Sequence, residues 1–197
     1  MSDLFALVAR RFSLGALAAF FLASTAMAHP DYWVTVKYQL TFNENAVTEM
    51  KLDWEFDVFY SSEAIETYDL DGDMAFSDEE AQALQAALFA PLASEHYFVK
   101  VFQGGLAKPM RLDTASPRID GDRLAISFTL LPKTPLLFRE APLAFSTHDE
   151  KAYDFSLAET EFLTVEGPYD SHCRFRIADG TGPLDGVPQT VSLLCPE

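Results

Sequence analysis

The feature that most constrains the fold is a strict two-residue alternation of apolar and polar side chains. Apolar or aromatic residues occupy every even position of the first run: Tyr32, Val34, Val36, Tyr38, Leu40 and Phe42. A second run places the following residues on one face: Met50, Leu52, Trp54, Phe56 and Val58. This period is that of a β-strand covered on one face. Because residues 43–46 between the runs have turn composition, we predict an antiparallel hairpin.

Shorter strand-like segments occupy much of the remaining chain. We predict strands at 97–103, 124–130, 143–146, 153–157, 161–165, 174–177 and 190–194. Many short strands separated by turn signals are typical of a β-rich α+β fold with antiparallel, sandwich-like sheets. A chain of 197 residues with 17 Phe, 7 Tyr and 2 Trp can bury one core, and we assign both Trp33 and Trp54 to it.

The alternation breaks at about residues 61–92, where the pattern is helical. Residues 63–68 are predicted to form a short helix. Ser77 and Glu80 have the spacing of a capping box, so a second helix is predicted to begin there and to end at Pro91. We therefore predict one domain over residues 29–197, with an inserted helix, acidic loop and helix.

The acidic loop Asp69–Glu80 resembles an EF-hand calcium loop. Calcium prefers six to eight hard oxygen ligands, which the loop supplies at positions 1, 3, 5, 7, 9 and 12. The corresponding residues are Asp69, Asp71, Asp73, Ala75 through its carbonyl, Ser77 and Glu80. We predict that this loop binds calcium in a structural role. The alternative is a solvated acidic turn that binds no ion.

Position 6 of the loop departs from the EF-hand pattern. That position is normally glycine because the backbone turns there through positive φ, but here it is Met74, while Gly72 lies two residues earlier. A bulky residue in this conformation costs on the order of 1 kcal/mol. We therefore expect calcium affinity roughly tenfold weaker than that of a loop with glycine.

The first 28 residues have the pattern of a secretory signal peptide. Arg10 and Arg11 precede an apolar run over residues 14–22, and Ala26 and Ala28 have the spacing of a cleavage site. The run is too short for a membrane span. We predict cleavage after Ala28, a periplasmic or secreted location and no membrane span in the mature protein.

Composition and motifs exclude several function classes. The chain has 30 acidic and 14 basic residues, for a net charge of −16, which argues against nucleic-acid binding because phosphates would be repelled. It contains no G-x-S-x-G, P-loop or H-E-x-x-H motif. We therefore predict that the protein is not an enzyme. We further expect it to be monomeric or weakly associating.

The two cysteines are predicted to form a structural disulfide. Cys173 and Cys195 are the only cysteines in the chain, and export would place them in an oxidising compartment. Both adjoin predicted strands, so the bond would join the C-terminal strand to its neighbour.

Cleavage after Ala28 would make His29 the first residue. Its α-amino group and imidazole can chelate one metal ion, an arrangement that suits copper, nickel or zinc. Lytic polysaccharide monooxygenases and periplasmic copper-binding sandwiches use such a terminus. Further candidate ligands are His96, His148 and His172. The alternatives are a solvated His29, a copper-dependent oxidase-like enzyme, or a purely structural envelope protein.

Three segments together resemble a bacterial family. They are the mature start at His29, the segment Trp54–Asp57 and the loop Asp69–Glu80. The chain is similar to a domain-of-unknown-function family often described as the periplasmic component of an uncharacterised ABC-type transport system. Genes of that family lie near nickel, cobalt or zinc transporters, so the resemblance implies an accessory to a membrane metal-ion transporter. Asp31 and Met74 depart from the family's second histidine and loop glycine.

Overall fold

The computed structural model describes residues 32–157, 163–168 and 173–194. The predicted signal peptide, His29, His172 and Cys195 lie outside these ranges. The described residues form the following strands: β1 (Tyr32–Asn43), β2 (Ala46–Phe56), β3 (Val99–Gln103), β4 (Leu106–Ala107), β5 (Met110–Asp120), β6 (Arg123–Pro132), β7 (Leu136–Leu137), β8 (Leu143–Thr147), β9 (Tyr153–Ser156), β10 (Leu163–Glu166), β11 (Arg174–Ala178) and β12 (Thr190–Leu194).

Most of the helical structure lies in one insert between β2 and β3. Its parts are α1 (Val58–Tyr68), α2 (Asp78–Leu84), a π-helical turn (Gln85–Phe89) and a 3-10 segment (Ala90–Phe98). A short 3-10 turn at Gly182–Leu184 precedes β12. Within the described ranges, no helix is long and apolar enough to cross a membrane.

The strands form two sheets. The larger has the order β10-β1-β2-β6-β5, with β7 paired to β2 and β9 paired to β1, and the smaller has the order β11-β12-β8-β3-β4. Most pairs are antiparallel, although β1 pairs in parallel with both β9 and β10. The predicted hairpin is present as β1 and β2, in register from Val34 opposite Phe56 to Asn43 opposite Ala46. The predicted β-rich class with a helical insert is confirmed.

Both sheets contribute to one hydrophobic core. The ring centroids of Tyr38 in β1 and Phe145 in β8 lie 5.0 Å apart, and the Tyr38 hydroxyl forms a buried 2.6 Å hydrogen bond with Thr147 Oγ1. Trp54 is fully buried, as predicted, and its ring contacts Phe89 from the helical insert at 6.2 Å. The core therefore joins both sheets and the insert.

Two apolar residues that we assigned to the core are exposed. Trp33 is 49% exposed because it lies on the polar face of β1. Val58 is 39% exposed because β2 ends at Phe56 and α1 begins two residues later. Asp57 caps that helix by accepting hydrogen bonds from the amides of the first turn at 2.8 and 3.1 Å, which ends the strand pattern early.

The insert between β2 and β3 is longer than predicted, spanning residues 58–98 instead of about 61–92, although the dihedral angles of residues 95–97 are not those of a regular helix. Pro91 does not end it, because proline occupies the first turn of the 3-10 segment, where its missing N–H is not needed. The next strand consequently begins at Val99 and not at Tyr97.

Strand β5 was not predicted. Its sequence carries charged and small polar residues, contains Pro117, and shifts register between Leu112 and Thr114, so the two-residue alternation is interrupted. Because β5 lies at the edge of the larger sheet, the proline is tolerated there.

Candidate metal centre in the acidic loop

The acidic loop is held at both ends by helix termini. Asp69 follows α1 directly, and its amide donates a 2.9 Å hydrogen bond to the Ile65 carbonyl. Ser77 caps α2, and the capping box with Glu80 that we predicted is present. The loop therefore connects two helices in a fixed way, as in the predicted helix–loop–helix arrangement.

Three loop carboxylates converge. One oxygen from each of Asp69, Asp71 and Asp73 lies within 4.8 Å of the others. Asp69 is only 8% exposed, whereas Asp71 and Asp73 face solvent. Such a cluster of hard oxygens matches the ligand preference of calcium.

Backbone amides orient the first of these carboxylates. Asp69 Oδ1 accepts a 3.0 Å hydrogen bond from the Gly72 amide, and Oδ2 accepts one of 3.0 Å from the Met74 amide. Met74 has φ of 64°, so it adopts the left-handed conformation that this loop position requires. The strain expected from replacing glycine with methionine is therefore present in the fold.

The next two aspartates accept hydrogen bonds from within the loop. Asp71 Oδ1 accepts one from the Asp73 amide at 3.2 Å, and Asp73 Oδ1 accepts one from the Ala75 amide at 2.9 Å. The loop backbone therefore turns around the three carboxylates, and the Ala75 peptide adjoins them.

Glu80 is engaged by local donors. Its Oε1 accepts a 2.6 Å hydrogen bond from the Leu70 amide, and its Oε2 accepts bonds from the Ser77 amide and hydroxyl at 2.9 and 2.8 Å. Hydrogen bonds from Ser77 and Leu70 lower the pKa of the Glu80 carboxyl below its ordinary value, so it stays ionised. The structure thus brings the three aspartates together, while Glu80 and Ser77 bind each other beside them.

Two of the candidate histidines share a cavity. His96 and His148 line a space of about 320 Å³ together with Glu95, Asp149 and other residues. The His148 amide donates a 3.0 Å hydrogen bond to the Phe98 carbonyl, which joins the two segments. The sequence named these histidines but gave no indication that they lie at one place.

The start of β1 lies against the loop that follows His148. The Tyr32 amide donates a 3.1 Å hydrogen bond to the Ala152 carbonyl, and Asp149 Oδ2 accepts a 2.8 Å bond from the Ala152 amide. Burial alone would raise the pKa of Asp149, but hydrogen bonds from four backbone amides of this loop lower it. His29 precedes Tyr32 by three residues, a chain length that spans at most about 11 Å.

A polar cluster on the outer face of the larger sheet was missed. Arg118 donates to both carboxylate oxygens of Asp53 at 2.7 and 2.9 Å, and Ser127 donates to Oδ1 at 2.6 Å. Burial alone would raise the pKa of Asp53, but these hydrogen bonds and the guanidinium charge lower it. The residues come from β5, β2 and β6, so only the sheet brings them together.

Similarity to known proteins places the chain in one family. The sequence profile of a family described as a protein of unknown function (DUF1007) matches residues 14–184. The chain belongs to this family. The DUF1007 match includes the acidic loop and both described histidines, and it ends before Cys195. No curated protein matches the chain.

Proposed function

We propose that this protein is an exported, periplasmic accessory that binds metal ions beside a membrane metal-ion transporter, with one structural calcium site. The convergence of Asp69, Asp71 and Asp73 between two helix ends supports the calcium site most directly. Glu80 would complete the shell by turning its carboxylate from the Leu70 amide towards the ion, with Ser77 and the Ala75 carbonyl as further ligands.

Calcium has a structural role in this proposal because the helical segment that follows the loop contributes side chains to the core. Leu84 ends α2 and is fully buried, and Phe89 in the next turn contacts Phe128 at 5.0 Å. An ion that fixes the angle between α1 and α2 would therefore also fix these core residues. Binding to the folded state alone stabilises the fold by mass action.

Calorimetric titration with calcium tests this site. We expect saturable binding and a higher melting temperature in calcium, both strongly reduced by Glu80→Gln. Glu79→Gln removes the same charge from the neighbouring exposed residue and is the matched control. Absence of calcium binding, or an equal loss in both variants, contradicts the proposal.

A transition-metal site at His29 is the second part of the proposal. It is supported by the cavity that His96 and His148 share, and by the position of Tyr32 beside the loop after His148. The α-amino group and imidazole of His29 would bind zinc, nickel or copper, with one or both of these histidines as further ligands.

Adding one residue before His29 distinguishes a metal chelate at the N-terminus from metal binding by surface histidines alone. We expect a protein that starts at His29 to bind copper, nickel or zinc, and one extra alanine before His29 to abolish the chelate while leaving the calcium titration unchanged. His148→Ala should weaken binding as well. Equal metal affinity with and without the added alanine would exclude the chelate.

A further inference from the structure

A second cavity lies at the open edge between the two sheets. Strands β3 and β4 form one edge of the smaller sheet, and β5 forms the edge of the larger one. The chain crosses between them at Lys108 and Pro109, and the Lys108 amide is held by a 2.8 Å hydrogen bond to the Val101 carbonyl. The cavity has a volume of about 520 Å³, within the range of small-molecule sites.

The floor and sides of this edge cavity are apolar. Val99 and Val101 contribute from β3 and Leu130 contributes from β6, all three of them buried. Met110 and Leu112 contribute from β5 and are only partly buried. A ligand with an apolar body would therefore cover hydrophobic surface that is now partly open to water.

The rim of the edge cavity is cationic. Lys100, Lys108, Arg111 and Lys133 are among its lining residues, and no aspartate or glutamate is among them. Within the described ranges, the three lysines have no carboxylate within ion-pair distance, whereas Arg111 lies 3.2 Å from Asp113. Four of the chain's 14 basic residues thus surround one cavity in a protein of net charge −16. This concentration favours an anionic ligand.

One wall carries a tyrosine on a strained backbone. Tyr97 lines the cavity, is 9% exposed and stacks on Phe89 with a centroid distance of 4.8 Å. Its hydroxyl forms no hydrogen bond within the described part of the chain. Residues 96–98 have φ of 53°, 54° and 55°, a left-handed run that is unfavourable for residues other than glycine. Tyr97 therefore brings a hydroxyl without a hydrogen-bond partner among the described residues to the lining of the edge cavity.

We propose that the edge cavity binds a single-chain carboxylate amphiphile, with the alkyl chain on the apolar floor and the carboxylate among the rim lysines. A small inorganic anion would leave the apolar floor uncovered, and a neutral apolar molecule would leave the lysines without a counter-charge. The Tyr97 hydroxyl supplies a further donor for the carboxylate. His96 and Lys100 also line the cavity of the proposed transition-metal site, so decanoate binding is measured on metal-free protein, whereas the acidic loop contributes no residue to the edge cavity.

Calorimetry with three probes tests the ligand class. Decanoate, below its critical micelle concentration, should bind the purified protein saturably with one molecule per chain. Decanol has the same chain without the charge, and acetate has the charge without the chain, so both should bind more weakly. Higher salt should weaken decanoate binding and leave decanol binding unchanged.

Matched variants locate the site. Lys108→Gln with Lys133→Gln should weaken decanoate binding about tenfold, since charge-assisted contacts are lost, and should not change decanol binding. Lys51→Gln with Lys151→Gln removes the same charge from exposed residues outside the cavity and should have no effect. Met110→Gln, close to isosteric, should weaken both ligands.

Three results would overturn the proposal. They are no saturable binding of decanoate, equal affinity for decanoate and decanol, and equal losses in the two double variants. Preference for an acidic peptide over decanoate would instead identify the edge cavity as a protein-docking site. Circular dichroism of each variant confirms that it is folded before binding is compared.

Discussion

The acidic loop and the edge cavity concentrate opposite charges in very different ways. The loop takes its three converging carboxylates from five consecutive residues, and its own amides orient them. The edge cavity takes its lysines from β3, from the connection between β4 and β5, and from the residue after β6. A site made from consecutive residues depends on local geometry, whereas a site at a sheet edge depends on the whole fold. The following predictions test this difference.

The largest effect is expected where the acidic loop meets the core. Leu84→Ala removes a fully buried side chain at the end of α2 and should lower the free energy of unfolding by about 2–5 kcal/mol. Leu70→Ala makes the same change at an 81% exposed loop position and should alter it by less than about 0.5 kcal/mol. Urea denaturation with and without calcium measures both. Equal losses would show that the helices after the loop are not anchored in the core.

The second largest loss of stability is expected on removal of the predicted disulfide, which joins two residues that only the fold brings together. In the pairing of β11 with β12, Arg174 lies opposite Leu194, and the residues that flank this pair in sequence are Cys173 and Cys195. Cys173 is buried. Because the two cysteines are 22 positions apart, Cys173→Ser should cost roughly 3 kcal/mol. A reducing agent should destabilise the native protein similarly and leave the variant unchanged. Stability that does not respond to reduction would contradict the disulfide.

Loop strain is expected to have a smaller effect of opposite sign. Met74→Gly should raise the free energy of unfolding by about 1 kcal/mol, because glycine adopts positive φ without a steric penalty. Met74→Ala removes the same side chain but keeps the penalty, so it should not stabilise. A hydrogen bond from the Met74 amide to Asp69 Oδ2 already holds this conformation without the ion. We therefore place the cost of Met74 in folding, and this replaces the weaker calcium affinity expected from the sequence. A gain in calcium affinity without a gain in stability would reverse that assignment.

The smallest effect concerns the pair of Asp53 and Arg118. Because the pKa of Asp53 is lowered in the folded protein, its contribution to stability is present above the ordinary value of 3.8 and is lost as the pH falls through the lowered pKa. Asp53→Asn should therefore destabilise by less than about 1 kcal/mol at neutral pH, since Arg118 is partly exposed. The difference from the native protein should vanish in acid, as measured by urea denaturation from pH 2 to 7. Asp113→Asn is an exposed control.

The sequence predicts those features of the structure that depend on a single strand, hairpin or loop. The hairpin of β1 and β2, the burial of Trp54 and the capping box at Ser77 all follow from local patterns and are confirmed. Trp33 was wrongly assigned to the core because its size and hydrophobicity were given more weight than its odd position in β1, which lies on the polar face. Strand β5 shows another, since an edge strand with a register shift loses the alternation.

The sites that depend on several elements required the fold. The cavity shared by His96 and His148 forms because residues 96 and 148 adjoin neighbouring antiparallel strands, β3 and β8. The contact of Arg118 with Asp53 crosses three strands of the larger sheet. Neither arrangement has a spacing along the chain that could reveal it.

The parallel pairing of β1 has a consequence for the growing chain. One edge of β1 pairs with β2, the next strand in the chain. The other edge pairs with β9 and β10, which lie more than 100 residues later in the sequence. During synthesis from the N-terminus, that long strand presents unpaired amides and carbonyls until the last third of the chain arrives. Such an edge invites pairing with other chains. Newly made chains should therefore need a holding chaperone, and truncation before residue 153 should produce aggregates instead of a stable fragment.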